Sequence, residues 1–239
     1  MPPSAAPAAS APRLSPLMAQ YRAVKEQHPD AFLFFRLGDF YEMFLDDAVR
    51  GAELLGLTLT SRNKQDPEPI PMCGVPWHQR DAYVARLLKL GHKVAICEQL
   101  GDPAAARGLV ERAVTEVLTP GSVTTEALLE SAATRWLAAL WPEDERLGVC
   151  LADASTGELR LADWRWEDAP ELLAREAVAE WLLPATADMS EDAAARLDLL
   201  LAGALGARSV AAPGSGTEAA RAGGDAAWAA SLGPARRAA

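Results

Sequence analysis

The chain has 239 residues, half of them apolar, which suits one large domain or two ordinary ones that each bury a core. Its formal net charge of -10 argues against blanket coating of nucleic acid, which relies on many Lys and Arg to neutralise phosphates. No apolar run approaches the roughly 18 residues of a membrane helix, and the Pro/Ala-rich start lacks the basic and apolar regions of a secretion signal.

In chain order, residues 1–14 read as a floppy tail. Ser15-Pro16 has the form of an N-cap followed by proline at the first helical position. Leu17, Tyr21 and Val24 share one face of the predicted helix, which closes near His28-Pro29. Ala31–Leu37 is aromatic-rich and of strand length, with the character of a central strand. Phe44–Leu55 has helical spacing and stops at Gly56. Leu57–Thr60 reads as a short strand and Ser61–Glu68 as a polar loop, and the prolines and Gly74 of Pro69–Pro76 fix backbone shape. A helix at Asp81–Leu90, a strand at Lys93–Glu98 and a half-exposed strand at Val110–Leu118 follow. Thr119-Pro120-Gly121 breaks the pattern, and Thr124–Ser131 reads as a connecting helical segment.

A second unit begins near Ala132. Trp136–Trp141, Gly148–Ala152 and Glu158–Trp164 are three strand candidates in quick succession, the latter two joined at Ser155-Thr156-Gly157, which predicts an antiparallel meander. A helix at about Glu171–Ala179, a strand at Glu180–Leu183 and a helix at about Asp192–Leu205 complete it. From Gly206 the chain turns to Ala, Gly, Ser, Pro and Arg without periodicity and is expected to be mostly disordered. The resulting domain plan is 15–121, a linker at 122–131, 132–205, and a low-complexity tail at 206–239. Residues 1–127 hold 13 Lys+Arg against 15 Asp+Glu, whereas 128–239 hold 10 against 18, so the first half is the better candidate for touching a polyanion.

One run stands out chemically: Gly38-Asp39-Phe40-Tyr41-Glu42-Met43-Phe44. Its glycine can make the sharp turn that presents Phe40 outward. An aromatic beside a carboxylate makes sense against DNA if the ring wedges into a base step and the carboxylate meets a base edge. Unstacking costs a few kcal/mol, and less where pairing is already defective. The competing reading packs Phe40, Tyr41 and Phe44 into a strand-to-helix corner with Glu42 solvated, and local composition favours that reading.

Wider similarity shifts the balance. The run FFRLGDFYEMFLDDA at Phe34–Ala48 resembles the signature of the MutS mismatch-repair family, as do LTLTSRNK at Leu57–Lys64, EPIPMCGVPWH at Glu68–His78, VAICEQLGDP at Val94–Pro103 and VERAVTEVLTPGSV at Val110–Val123. The resemblance covers roughly Ser15 to Trp141. It implies an α/β (mixed α+β) fold, a mixed sheet flanked by helices, followed by all or part of a ribonuclease-H-like connector domain. It further implies that Phe40 stacks on an unpaired base, that Glu42 hydrogen-bonds to that base as acceptor or, if protonated, as donor, and that Gly38, Asp39 and Tyr41 lie at the same DNA-contacting tip.

Arg62 and Lys64 are candidate phosphate contacts and Met72 a DNA-proximal residue, and Pro69–Pro76 resembles a family loop close to the wedge. The family commonly carries a basic residue where this chain has Ser61 and often a glycine where it has Asn63. Implied partners are duplex DNA with mismatches or small loops, a second MutS subunit and a MutL-type protein, and the implied setting is cytoplasmic, at the nucleoid.

No catalytic or metal-binding residue is expected. Cys73, Cys97 and Cys150 lack CxxC spacing and do not cluster with the histidines, so reduced thiols fit better than zinc or disulfides. Asp153 ends an apolar strand where a ribonuclease-H-like nuclease would place its first metal carboxylate, but no partner carboxylate accompanies it and a turn role is favoured. His78 suits a helix start, and Trp164, Trp166, Trp181 and Trp228 suit packing. The family's ATP and magnesium need GxxxxGK[ST], and none of the four lysines here follows a glycine. The expectation is a fragment, a truncated or frameshifted product, or a free-standing paralogue, which recognises DNA without hydrolysing ATP and uses no cofactor.

Overall fold

Two sheets organise the molecule, and their helices are set by local sequence signals. In the computed structural model, which describes residues 15–65, 68–101, 108–123 and 135–211, the chain divides into two units: 1–77 with 95–117, and 78–94 with 118–239. The expected helical segment at 124–131 and Trp228 lie outside the described residues.

The first unit opens with α1 (Pro16–Gln27), capped by the Ser15 hydroxyl, which accepts from the Met18 amide at 3.3 Å, with proline at the first position. Then come β1 (Ala31–Leu37), β2 (Phe40–Phe44), α2 (Leu45–Leu55), β3 (Thr60–Arg62) and β4 (Ile70–Pro76). With β5 (Lys93–Gln99) and β6 (Arg112–Leu118) the strands form a six-stranded sheet in the order β3-β4-β2-β1-β5-β6. The pairs β1–β2, β2–β4 and β3–β4 are antiparallel.

On one face α1 packs Leu17, Met18, Tyr21 and Val24 against Leu33, Phe35, Phe44, Ala95 and Cys97. The Tyr21 ring meets Phe35 and Phe44 edge-on, at centroid distances of 5.4 and 5.0 Å. A buried carboxylate ties three elements together. Asp47 in α2 accepts from Lys25 Nζ in α1 at 2.9 Å, from the Leu33 amide in β1 at 3.0 Å and from the Tyr21 hydroxyl at 3.4 Å. With its donors in place this charge is compensated, and burial pushes the Tyr21 phenol far above its ordinary range.

The second unit contains α3 (Arg80–Lys89), preceded by a short 3-10 turn that includes His78. Its sheet runs β7 (Trp136–Pro142), β8 (Arg146–Asp153), β9 (Glu158–Arg165), β10 (Val178–Leu183) and β11 (Ala207–Val210), ordered β11-β10-β7-β8-β9. The β7-β8-β9 meander is antiparallel, as its alternating pattern predicts, while β10 lies parallel to both β7 and β11. Trp136, Ala138, Leu140, Leu147, Val149 and Leu151 turn to one face and pack with Leu173 of α4 (Ala169–Ala174), Leu197 of α5 (Glu191–Leu200) and Trp181. The mixed sheets with flanking helices agree with the expected α/β class.

Four local expectations are corrected. The helix expected from Phe44 starts at Leu45, and Phe40–Phe44 is a strand because β1 and β4 pair with it on both sides. The short strand predicted at Leu57–Thr60 lies at Thr60–Arg62, so Arg62 ends a strand instead of sitting in a loop. Pro69–Pro76 is mostly the strand β4. Within the stretch expected from Gly206 to be a tail, Ala207–Val210 form β11. There Ala207 is buried and the Ser209 hydroxyl bonds to the buried Glu180 carboxylate, whose other oxygen accepts from the Gly121 amide at 3.0 Å.

Candidate functional site

The expected probe residues lie on a tight hairpin. Leu37 pairs with Phe40, which leaves Gly38 and Asp39 as the two-residue turn. Gly38 has φ of +57°, the first-position glycine that a two-residue hairpin demands. Strand alternation then sorts the side chains. Phe40 and Glu42 share the α1 face beyond the reach of that helix, whereas Tyr41 and Met43 turn to the other face and are buried.

Phe40 is 46% exposed, unusual for a phenylalanine at a strand start, while Tyr41 is 2% exposed and bonds to the Glu98 carboxylate. Tyr41 therefore packs behind the tip and does not stand on its surface. Gly38 and Asp39 are exposed.

Two contacts hold the tip. The Arg36 Nε donates to the Gly38 carbonyl at 2.5 Å, and the Trp77 amide donates to the Asp39 carbonyl at 2.9 Å. The Arg36 guanidinium also lies 5.2 Å from the ring centroids of both Tyr41 and Trp77. Sequence reading missed Arg36 and Trp77 as supports. The available signal was an arginine two residues before the turn glycine, on the face opposite Phe40.

Glu42 is the electrostatic peculiarity of the site. Gly74 of β4 stands directly opposite it, and a Cβ at Gly74 would sit 3.2 Å from the Tyr41 carbonyl and 3.4 Å from Glu42 Cγ. The missing side chain gives the carboxylate room to lie over the sheet. Glu42 Oε2 is buried and meets no hydrogen-bond donor among the described residues, although Arg62 Nη1 approaches to 3.9 Å. Burial pushes the carboxyl above its usual range, and the Arg62 charge pulls it back only in part. The site thus offers an exposed ring and an under-bonded carboxylate side by side, chemistry suited to a flat apolar partner with a polar edge.

Of the other candidates, Met72 is half-buried in β4 opposite Phe44 and Thr60. Lys64 is exposed in the turn after β3. Asn63 between it and Arg62 has φ of +56°, the left-handed conformation that asparagine tolerates and glycine adopts freely.

Asp153 lies in the second unit and closes the β8–β9 hairpin. Its Oδ1 accepts from the Ser155 amide at 2.8 Å, the Ser155 hydroxyl at 2.7 Å and the Thr156 amide at 3.3 Å, and these bonds hold the carboxyl below its ordinary range. Among the described residues no three His, Cys, Asp or Glu side chains are grouped to hold a metal ion, and no helix is long and apolar enough to cross a membrane. Cys73 and Cys97 are free and buried, their thiols pushed up to about 11 by burial.

Comparison with known proteins places this hairpin in context. Residues 15–127 match the family model described as MutS domain I. The chain is 51% identical over 148 residues to the DNA mismatch repair protein MutS of Thermodesulfovibrio yellowstonii, covering 62% of this chain and 17% of the relative. It is 49% identical over 148 residues to the protein of that name from Desulfatibacillum aliphaticivorans, with the same coverage. With that of Sorangium cellulosum it shares 52% identity over 190 residues, 75% of this chain and 20% of the relative. The chain thus spans about a fifth of the length of these relatives.

Proposed function

We propose that this chain, whose residues 15–127 match the family model described as MutS domain I, recognises mispaired or unpaired bases in duplex DNA for mismatch repair. Phe40 is the wedge and Glu42 the base contact. The observation that carries the reading is the pairing, on one face of β2, of an exposed phenylalanine with a carboxylate oxygen that has no hydrogen bond among the described residues. A ring inserted beside a mispair gains stacking, and the unpaired base edge supplies the missing partner. Selectivity arises because a matched step costs more to unstack than a defective one.

The tip is built for such work. Bonds from Arg36 and Trp77 fix the two turn carbonyls, so Phe40 need not be ordered on binding. Arg62 at the end of β3 and Lys64 just beyond it supply cations for the backbone, and Asp39 lies exposed at the tip. Overall affinity is weak and salt-sensitive, because few cations face the duplex.

On this proposal residues 15–121 carry recognition, and the sheet from 132 onward serves as a ribonuclease-H-like connector. Recognition requires no ATP hydrolysis, metal or cofactor. A second MutS subunit and a MutL-type protein are the proposed protein partners, and the cytoplasmic nucleoid the setting. Titrating the full chain against a duplex with a single mispair and its matched counterpart tests the reading. Preference for the mispaired duplex, lost in Phe40→Ala, is expected; equal binding by wild type and variant refutes the wedge.

A further inference from the structure

Arg62 and Glu42 project from the same face of the first sheet, two strands apart, with β4 between them. At the level of Glu42 that strand presents Gly74, so nothing larger than hydrogen stands opposite the carboxylate. Across this gap Arg62 Nη1 comes to 3.9 Å from Glu42 Oε2, an ion pair without a hydrogen bond. The arginine is 38% exposed at the end of a three-residue edge strand, while the carboxylate is 20% exposed. The cation is the more exposed partner of the pair.

The neighbouring positions facing Glu42 carry no other charge. On β1 they are Phe35 and Leu37, on β2 Phe40 and Phe44, and on β4 Met72, Gly74 and Pro76. Arg62 alone supplies a coulombic counter-charge among the described residues, opposing the upward push of burial.

We propose that Arg62 is a shared cation, paired with Glu42 in the DNA-free protein and drawn to a backbone phosphate when a duplex docks. This rests on the DNA-binding reading above. A guanidinium matches a phosphate in bidentate geometry better than it matches a carboxylate it cannot reach within hydrogen-bond distance. The exchange removes the counter-charge from Glu42 as a base edge arrives. A desolvated carboxyl that loses its cation takes up a proton more readily, changing from an acceptor into a donor. Arg62 is therefore a positioning and specificity residue acting through Glu42, and docking of the backbone is coupled to the hydrogen-bonding sense of the base contact.

Two measurements on the full chain test the exchange. The first is the titration of the Glu42 carboxyl, followed by carbon-13 resonance in DNA-free wild type, Arg62→Met and Arg62→Lys. Glu42 is expected to titrate at higher pH in Arg62→Met, with Arg62→Lys returning it toward wild type. The second is the salt dependence of binding to a mispaired duplex, whose log–log slope is expected to become shallower by about 1 in Arg62→Met, as for one lost phosphate contact. A Glu42 titration that does not move, or an unchanged salt slope, overturns the proposal. An unchanged thermal midpoint separates these effects from misfolding, and Arg62→Gln supplies the same comparison if Arg62→Met proves unstable. The parent reading is judged independently by Phe40→Ala. A chain that binds no duplex contradicts both.

Discussion

The two hairpins, β1–β2 in the first unit and β8–β9 in the second, each place a carboxylate on a strand beside the turn, yet they use it in opposite ways. Asp153 receives three hydrogen bonds from its own turn, and its carboxyl is held below the usual range. Glu42 has a buried oxygen without a donor among the described residues, and burial pushes its carboxyl above the usual range. The first arrangement stabilises a fold, whereas the second leaves bonding capacity for something outside the chain. Phe40 repeats the lesson, since it is exposed while the neighbouring Tyr41 is buried. Unmet needs at a rigid tip are a better guide to function than the mere presence of an acid near a turn.

Substitutions can break this contrast. The largest stability effect is expected for Asp153→Ala, which strands the turn amides and should cost about 1–3 kcal/mol by chemical denaturation. Its sign with pH follows from the lowered carboxyl. Folding favours the ionised form, so the stabilisation is complete above the ordinary carboxylate range and fades as pH falls through the folded value. The wild-type and Asp153→Ala stability curves should therefore converge in acid. Gly74→Val should cost a comparable or slightly smaller amount, about 1–2 kcal/mol, by crowding the Tyr41 carbonyl and Glu42 Cγ, and should also weaken mismatch preference.

Glu42→Gln sharpens the contrast because its effect on stability should have the opposite sign to that of Asp153→Ala. Removing an under-bonded charge leaves the neutral-pH midpoint unchanged or raises stability by up to about 1 kcal/mol. A clear loss of stability would show that Glu42 serves the fold as Asp153 does. The smallest effect is expected for Arg36→Met. Loss of the turn bond and ring contacts should reduce mismatch preference by about 2- to 5-fold, with binding to matched duplex little changed.

Much of this architecture is legible in the sequence where the signal is local. The Ser15-Pro16 helix start, the apolar run of β1 and the alternation through β7, β8 and β9 all appear where periodicity and capping place them. The failures share a non-local cause. FYEMF becomes a strand because β1 and β4 flank it, and nothing within five residues announces that. Pro71 and Pro76 suggest a loop, yet they occupy β4 opposite Ser61 and Phe40, near the strand ends where a missing amide is tolerated. Ala207–Val210 has the composition of a tail, but Glu180 and β10 recruit it as an edge strand.

At the site, Phe40 and Glu42 stand out through family resemblance, since local composition favours a packed corner. Strand alternation then separates them from Tyr41, which residue type alone could not do. The stacking of Arg36 on Tyr41 and Trp77 and the Glu42–Arg62 pair escape sequence reading because they join residues from different elements.

The central claim is that the open face of β2 reads defective base pairs, and its most direct test is one ratio measured on three proteins. Affinity for a singly mispaired duplex relative to its matched counterpart, at fixed salt, should exceed one for wild type. It should fall close to one in Phe40→Ala, through a stacking loss of about 1–3 kcal/mol, and remain at the wild-type value in folded Asp153→Ala. A ratio unchanged by Phe40→Ala, or abolished equally by Asp153→Ala, would contradict the account.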